Sequence, residues 1–101
     1  MNTSSNRLFL DFNVYCNNDH VLEDYLQNNN LNIITLANFD NSPASKQLLK
    51  ILFENANTEY ITEILINVCC IGEMISIQLS LFLSKCVNLK ILSMNSTTIN
   101  D

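Results

Sequence analysis

Four cysteines, Cys16, Cys69, Cys70 and Cys86, and a single histidine, His20, are the side chains of this chain best suited to nucleophilic or metal chemistry. A thiol attacks or ligates as the thiolate, which needs a cationic neighbour or an imidazole to hold it in that form. No cysteine pair has the C-x-x-C spacing of a zinc ribbon or a thioredoxin-like site, and His20 stands far along the chain from Cys69. The vicinal Cys69 and Cys70 are poorly placed for an unstrained disulfide. Three of the four cysteines lie in strongly apolar segments, where a thiol acts as a small hydrophobe, so buried and reduced thiols are expected. His20 follows Asp19 at an expected helix start, a capping-turn position. Asp11, Asp40 and Glu63 are too scattered to read as an acid-base pair. With one glycine, Gly72, the chain has no Gly-rich phosphate loop, and it lacks G-x-S-x-G and H-E-x-x-H. The chain therefore reads as non-catalytic, with no cofactor and no metal. A thiol-dependent enzyme using Cys69 or Cys70 is the distant alternative.

Charge narrows the partners. Ten acidic residues against five basic ones give a net charge of -5, and Arg7, Lys46, Lys50, Lys85 and Lys90 are spread along the sequence. No basic run is present to neutralise a phosphate backbone or an anionic bilayer, so nucleic acid and membrane are both disfavoured. The first twenty residues alternate apolar with polar and have no signal-peptide core. The most apolar stretch, Ile64 to Leu83, is broken by Asn67, Glu73, Ser76, Gln78 and Ser80. Together with the cysteine usage, this points to the cytoplasm of the producing cell, or of a cell into which the protein is delivered. At 101 residues the chain fits a single domain, residues 1–101.

The elements that would position any site alternate strand and helix. Leu8, Leu10, Phe12, Val14 and Cys16 recur at the period of a half-buried strand. Val21, Leu22, Tyr25 and Leu26 then follow helical spacing until Asn28-Asn29-Asn30 stops them. A second strand begins at Leu31, with Ile34 and Leu36, and Ser42-Pro43 announces a helix carrying Leu48, Leu49, Leu52 and Phe53. A third strand is expected over Ile61 to Val68, a third helix over Glu73 to Lys85, and a last strand over Leu89 to Met94. Connections of this length require parallel strands joined by crossovers.

Self-similarity distinguishes the two architectures this order permits. ITEILINVCCI from Ile61 and LKILSMNSTTI from Leu89 both fit L-x-x-L-x-L-x-x-N/C-x-L, offset by 28 residues (89 minus 61), with Cys69 and Thr97 in the turn slot. Residues 61–101, including the C-x-I-G turn at Cys69 to Gly72 and the Lys85 to Lys90 run, resemble a leucine-rich repeat protein of the ribonuclease-inhibitor-like class. Units are then expected at 7–30, 31–60, 61–88 and 89–101 (partial), the first aligning Arg7, Leu10 and Phe12 at an interval of 24. The resemblance implies an α/β fold, a short β/α solenoid with parallel strands; a small open α/β sheet is the alternative.

In such repeats the residues between the strand leucines face outward on the concave sheet. Carried over by position they are Ile33, Thr35 and Ala37, then Glu63, Leu65 and Asn67, then Ile91, Ser93 and Asn95. The resemblance thus implies a protein-protein interaction module acting through that face; a repeat-free α/β regulatory or binding domain is the alternative. Helices on a second face would instead bury Leu65 and Ile91. Solenoids need polar caps, so the strand at Leu89 is expected to leave an open C-terminal edge, available for self-association.

Overall fold

The computed structural model describes residues 6–15, 18–67, 69–95 and 98–99. Leu8 and Leu10 alternate with Arg7, Phe9 and Asp11 to make the first strand, β1 (Arg7–Asp11). α1 (Asp19–Asn28) follows, then β2 (Ile33–Ala37), α2 (Pro43–Asn55), a 3-10 turn at Thr58–Tyr60, and β3 (Glu63–Asn67). The chain continues through a short β4 (Cys70–Ile71), α3 (Glu73–Lys85), β5 (Ile91–Asn95) and a short β6 (Thr98–Ile99). The expected order is present, and the expected bounds of α3 match those observed.

The four longer strands form one parallel sheet in the order β1-β2-β3-β5, each pairing with the next in sequence. The fold is an open α/β sheet with three helices. Residues 8, 34 and 64 align across it, as do residues 10, 36 and 66. All six are buried aliphatics in one core with Leu22 and Leu26 of α1, Leu48 and Leu52 of α2, and Ile75, Leu79 and Phe82 of α3. Each such side chain contributes about 1.5–3 kcal/mol when removed from water. The residues between them are less buried, so the helices cover one face of the sheet only.

The strand starts repeat one hydrogen-bond arrangement. The Asn6 carbonyl accepts from the N–H groups of Asn32 and Ile33, the Asn32 carbonyl from Thr62 and Glu63, and the Thr62 carbonyl from Lys90 and Ile91, all at 2.8–3.2 Å. Asparagine side chains join the same edges: Asn32 donates to the Tyr60 carbonyl at 3.1 Å and Asn88 to the Glu59 carbonyl at 2.8 Å. The Asn32 Oδ1 accepts from the Asn6 N–H at 3.1 Å.

Two expectations for the first segment are corrected. β1 stops at Asp11 instead of alternating on to Cys16, because the Asp11 carbonyl accepts from the N–H groups of Val14 and Tyr15, and its carboxylate from that of Asn13, all at 3.0 Å. The resulting turn drives Phe12 into the core, edge-on to Phe39 with ring centroids 5.0 Å apart. Cys16 itself lies outside the described residues. The register also sets Leu8, not Leu10, beside Ile34, an interval of 26 (34 minus 8) in place of 24. With Phe12 in the turn, Leu8 and Leu10 are the inward pair of β1.

Candidate functional site

The uncovered sheet face collects the outward positions of all four longer strands into three rows. Arg7, Ile33, Glu63 and Ile91 form the first, Phe9, Thr35, Leu65 and Ser93 the second, and Asp11, Ala37, Asn67 and Asn95 the third. Strands in a sheet lie about 4.8 Å apart and side chains on one face about 6.6 Å apart along a strand. The outermost α-carbons of this patch therefore enclose a surface about 14 by 13 Å.

All nine expected residues lie on this one face, and Leu65 and Ile91 are not covered by helices. Ile91 and Asn95 are exposed, while Ile33, Thr35, Glu63, Leu65, Asn67 and Ser93 are partly exposed. Ala37 departs from the expectation. It is buried, a methyl group recessed between the longer side chains of Asp11 and Asn67 on the flanking strands. The β1 members, Arg7, Phe9 and Asp11, were missed by the repeat alignment because it started that strand one pair of residues too far along. Phe9, 60% exposed, is the largest apolar group on the face. The signal for it was the alternation of Leu8 and Leu10, which turns residue 9 away from the core.

Polarity is graded along the strands. The C-terminal row is amide-rich: Asn95 donates to Asn67 Oδ1 at 3.3 Å, and Asn38, just beyond β2 at φ 65°, donates to Asp11 Oδ1 at 3.1 Å. The middle row alternates apolar Phe9 and Leu65 with the hydroxyls of Thr35 and Ser93. The N-terminal row alternates charge with aliphatic, Arg7 and Glu63 on either side of Ile33, with Ile91 beyond. Such a surface offers apolar contact flanked by directional hydrogen-bonding groups.

The residues considered for chemistry do not converge. Cys69 is buried, its thiol close to the carbonyls of Asn67 at 3.3 Å and Leu36 at 3.7 Å, so it occupies the inside of the turn after β3. Burial raises its pKa, and burial likewise raises that of Cys86, whose thiol donates to the Phe82 carbonyl at 3.4 Å. Both are poorer nucleophiles for it. His20 is exposed on α1. Asp11 and Glu63 share the strand face but sit in different rows two strands apart, and Asp40 caps α2 from the preceding loop, accepting from the Ser42 N–H at 3.0 Å and the Ser45 hydroxyl at 2.8 Å. Thr97 lies outside the described residues. Among the described residues no group of three His, Cys, Asp or Glu side chains could hold a metal ion, and no helix is long and apolar enough to cross a membrane. Compared with protein-family models, with curated proteins and with solved structures, the chain matches none.

Proposed function

We propose that the chain is a short leucine-rich-repeat-like β/α solenoid, non-catalytic, that binds another protein through its uncovered strand face. One observation carries the reading. Equivalent positions recur down the chain, 26, 30 and 28 residues apart (7 to 33, 33 to 63, 63 to 91), and each brings a side chain to the same unpacked surface. The small β4–β6 ladder supports it, since Cys70 pairs with Thr98 at the same interval of 28 as β3 with β5. A non-catalytic role is supported by the burial of Cys69, which raises its pKa. The patch is the centre of an interface, because a stable complex buries about 800 Å² on each partner.

The edge of the sheet supports a second reading, self-association. Leu92 and Met94 are 45% and 41% exposed on the side whose counterparts in β1, β2 and β3 are buried. A second copy seated there would cover them.

Both readings are tested by light scattering after size-exclusion chromatography, with circular dichroism, on wild type, Leu65→Asp and Leu92→Lys. In parallel, the proteins retained from a cell extract by each immobilised variant are compared. The strand-face reading expects Leu65→Asp to stay folded and lose the retained partner while Leu92→Lys keeps it. An oligomer lost only in Leu92→Lys assigns the interaction to the edge. Unfolding of Leu65→Asp would show that this residue belongs to the core and would overturn the strand-face reading.

A further inference from the structure

A second surface lies in the helical layer, away from the strand face and independent of it. α1 and α2 pack together, and a trough of about 600 Å³ lies between α2 and α3. Its floor is apolar: Phe53 stacks on Phe82 with centroids 4.7 Å apart, and Ile75 lies beside them. One wall is the exposed flank of α3, where Met74 and Leu81 are 70% and 60% exposed.

The rim is cationic. Lys46, Lys50 and Lys85 all line the trough, three of the five basic residues in a chain of net charge -5, against one acid, Glu54. Lys46 and Lys50 stand four apart on α2, so they lie on one side of that helix. Lys85 ends α3, at the end of the trough where Phe53 meets Phe82, while Lys46 and Lys50 lie toward the start of α2. Three of the chain's five basic residues, dispersed in sequence, are gathered by the fold around this apolar groove.

We propose that this trough receives an amphipathic helical segment of an acidic partner protein. Apolar side chains of the segment, recurring at i, i+3, i+4 and i+7, would fill the floor between Phe53 and Leu81, and Asp or Glu residues on its flanks would meet the three lysines. Helices of 13 residues, such as α2 and α3, are about 20 Å long, which matches three to four turns of a docked helix. The trough is open along its length, so an occupant keeps one side in water. A helix with a polar back satisfies that condition, whereas an acyl chain would remain half hydrated. A second copy of this chain brings net negative charge but has to present an apolar acidic helix as well.

The test uses a fluorescein-labelled 14-residue helical peptide, with Leu at the four inward positions and Glu on both flanks, and its counterpart with Lys in place of Glu. Fluorescence anisotropy is read against wild type, the triple variant Lys46→Glu/Lys50→Glu/Lys85→Glu, and Leu81→Ser, each checked by circular dichroism. Three rim charge pairs at about a factor of two to three each give the Glu peptide roughly a tenfold preference over the Lys peptide on wild type. The triple variant is expected to reverse the order, Leu81→Ser to weaken both peptides, and methyl shifts on binding to fall on Met74 and Leu81. Equal binding of the two peptides, a preference that survives the triple variant, or shifts confined to the strand face would overturn the proposal. So would displacement of the Glu peptide by palmitate at equal concentration, which assigns the trough to a lipid. A wild-type dimer abolished by Leu81→Ser would assign it instead to a second copy.

Discussion

Ile64 and Leu65 are adjacent in β3 and point to opposite faces of the sheet, so truncating each in turn measures how differently the two faces are buried. Ile64 is 1% exposed between Ile34 and Leu92 on the neighbouring strands. Ile64→Ala deletes three buried carbons, about 2.5 kcal/mol of transfer free energy at about 0.8 kcal/mol each. The cavity left under the helices brings the expected loss to about 3–4 kcal/mol. Leu65 is partly exposed on the face without helices, where water fills the space its side chain leaves. Leu65→Ala is therefore expected to cost about 1 kcal/mol or less. A chain of this size loses about 4–8 °C in Tm per kcal/mol, so the two melting curves should separate by about 10 °C or more. The sequence has no tryptophan, which makes far-UV circular dichroism in urea and on heating the suitable assay. Equal losses near 3 kcal/mol would mean that both faces are covered, and would refute the one-sided sheet on which the binding surface depends.

Further perturbations probe parts of the fold that hold these faces in place. Cys69 and Cys86, thiols whose burial raises their pKa, should react with iodoacetamide far more slowly in the native protein than in urea. Because the folded state disfavours their thiolates, their contribution to stability is whole below the unfolded value of about 8.5 and is lost as pH rises above it. Urea midpoints measured between pH 7 and 10 should fall on the alkaline side. Asn32→Ala removes one bond from the Asn6 N–H and one to the Tyr60 carbonyl and should cost about 1–2 kcal/mol by urea titration. Ser42→Ala removes the acceptor for the Ser45 N–H at the start of α2, a loss of about 1 kcal/mol. The Ser42 N–H, with the Ser42 and Ser45 side chains, holds the Asp40 carboxyl below its usual range. Its stabilisation is thus present above the unfolded value of about 3.9 and lost as pH falls through the lower folded value. Hydrogen exchange at the Ser45 amide should accelerate over that acid range before the rest of α2 does.

The alternation of Leu8 with Leu10, of Ile34 with Leu36 and of Ile64 with Ile66 is legible directly, because a strand with one buried face must repeat every second residue. The Ser42-Pro43 helix start is equally local, with the serine hydroxyl and the proline doing separate capping work. The end of β1 was hidden because Val14 prolongs the apolar alternation while lying 68% exposed in the turn. Only the Asp11 hydrogen bonds, invisible to a hydropathy pattern, reveal the turn. The structural part of the asparagines is not legible in the sequence. Their bonds from Asn32 to Tyr60 and from Asn88 to Glu59 depend on strand neighbours about thirty positions apart, which local spacing does not encode. The trough was illegible for the same reason: Lys46, Lys50 and Lys85 become neighbours only once two helices lie side by side.

The intervals between strands are unequal, yet the strand face is regular. β1 and β2 are separated by the ten residues of α1, β2 and β3 by the thirteen of α2 plus the 3-10 turn at Thr58–Tyr60, and β3 and β5 by the thirteen of α3 without that turn. Strand pairing tolerates no such variation, since a slip of one residue would carry Ile64 or Ile34 out of the core. The carbonyls of Asn6, Asn32 and Thr62, each holding the next strand in the same way, fix the register whatever the loop length. The differences in length are therefore absorbed in the helical layer and its connections, where the 3-10 turn at Thr58–Tyr60 lies against α3. The strand face is held regular by this constraint, to which the helical layer carrying the cation-rimmed trough is not subject. Deletion of one residue from the Thr58–Tyr60 segment should accordingly alter peptide binding at the trough while leaving the rows on the strand face in register.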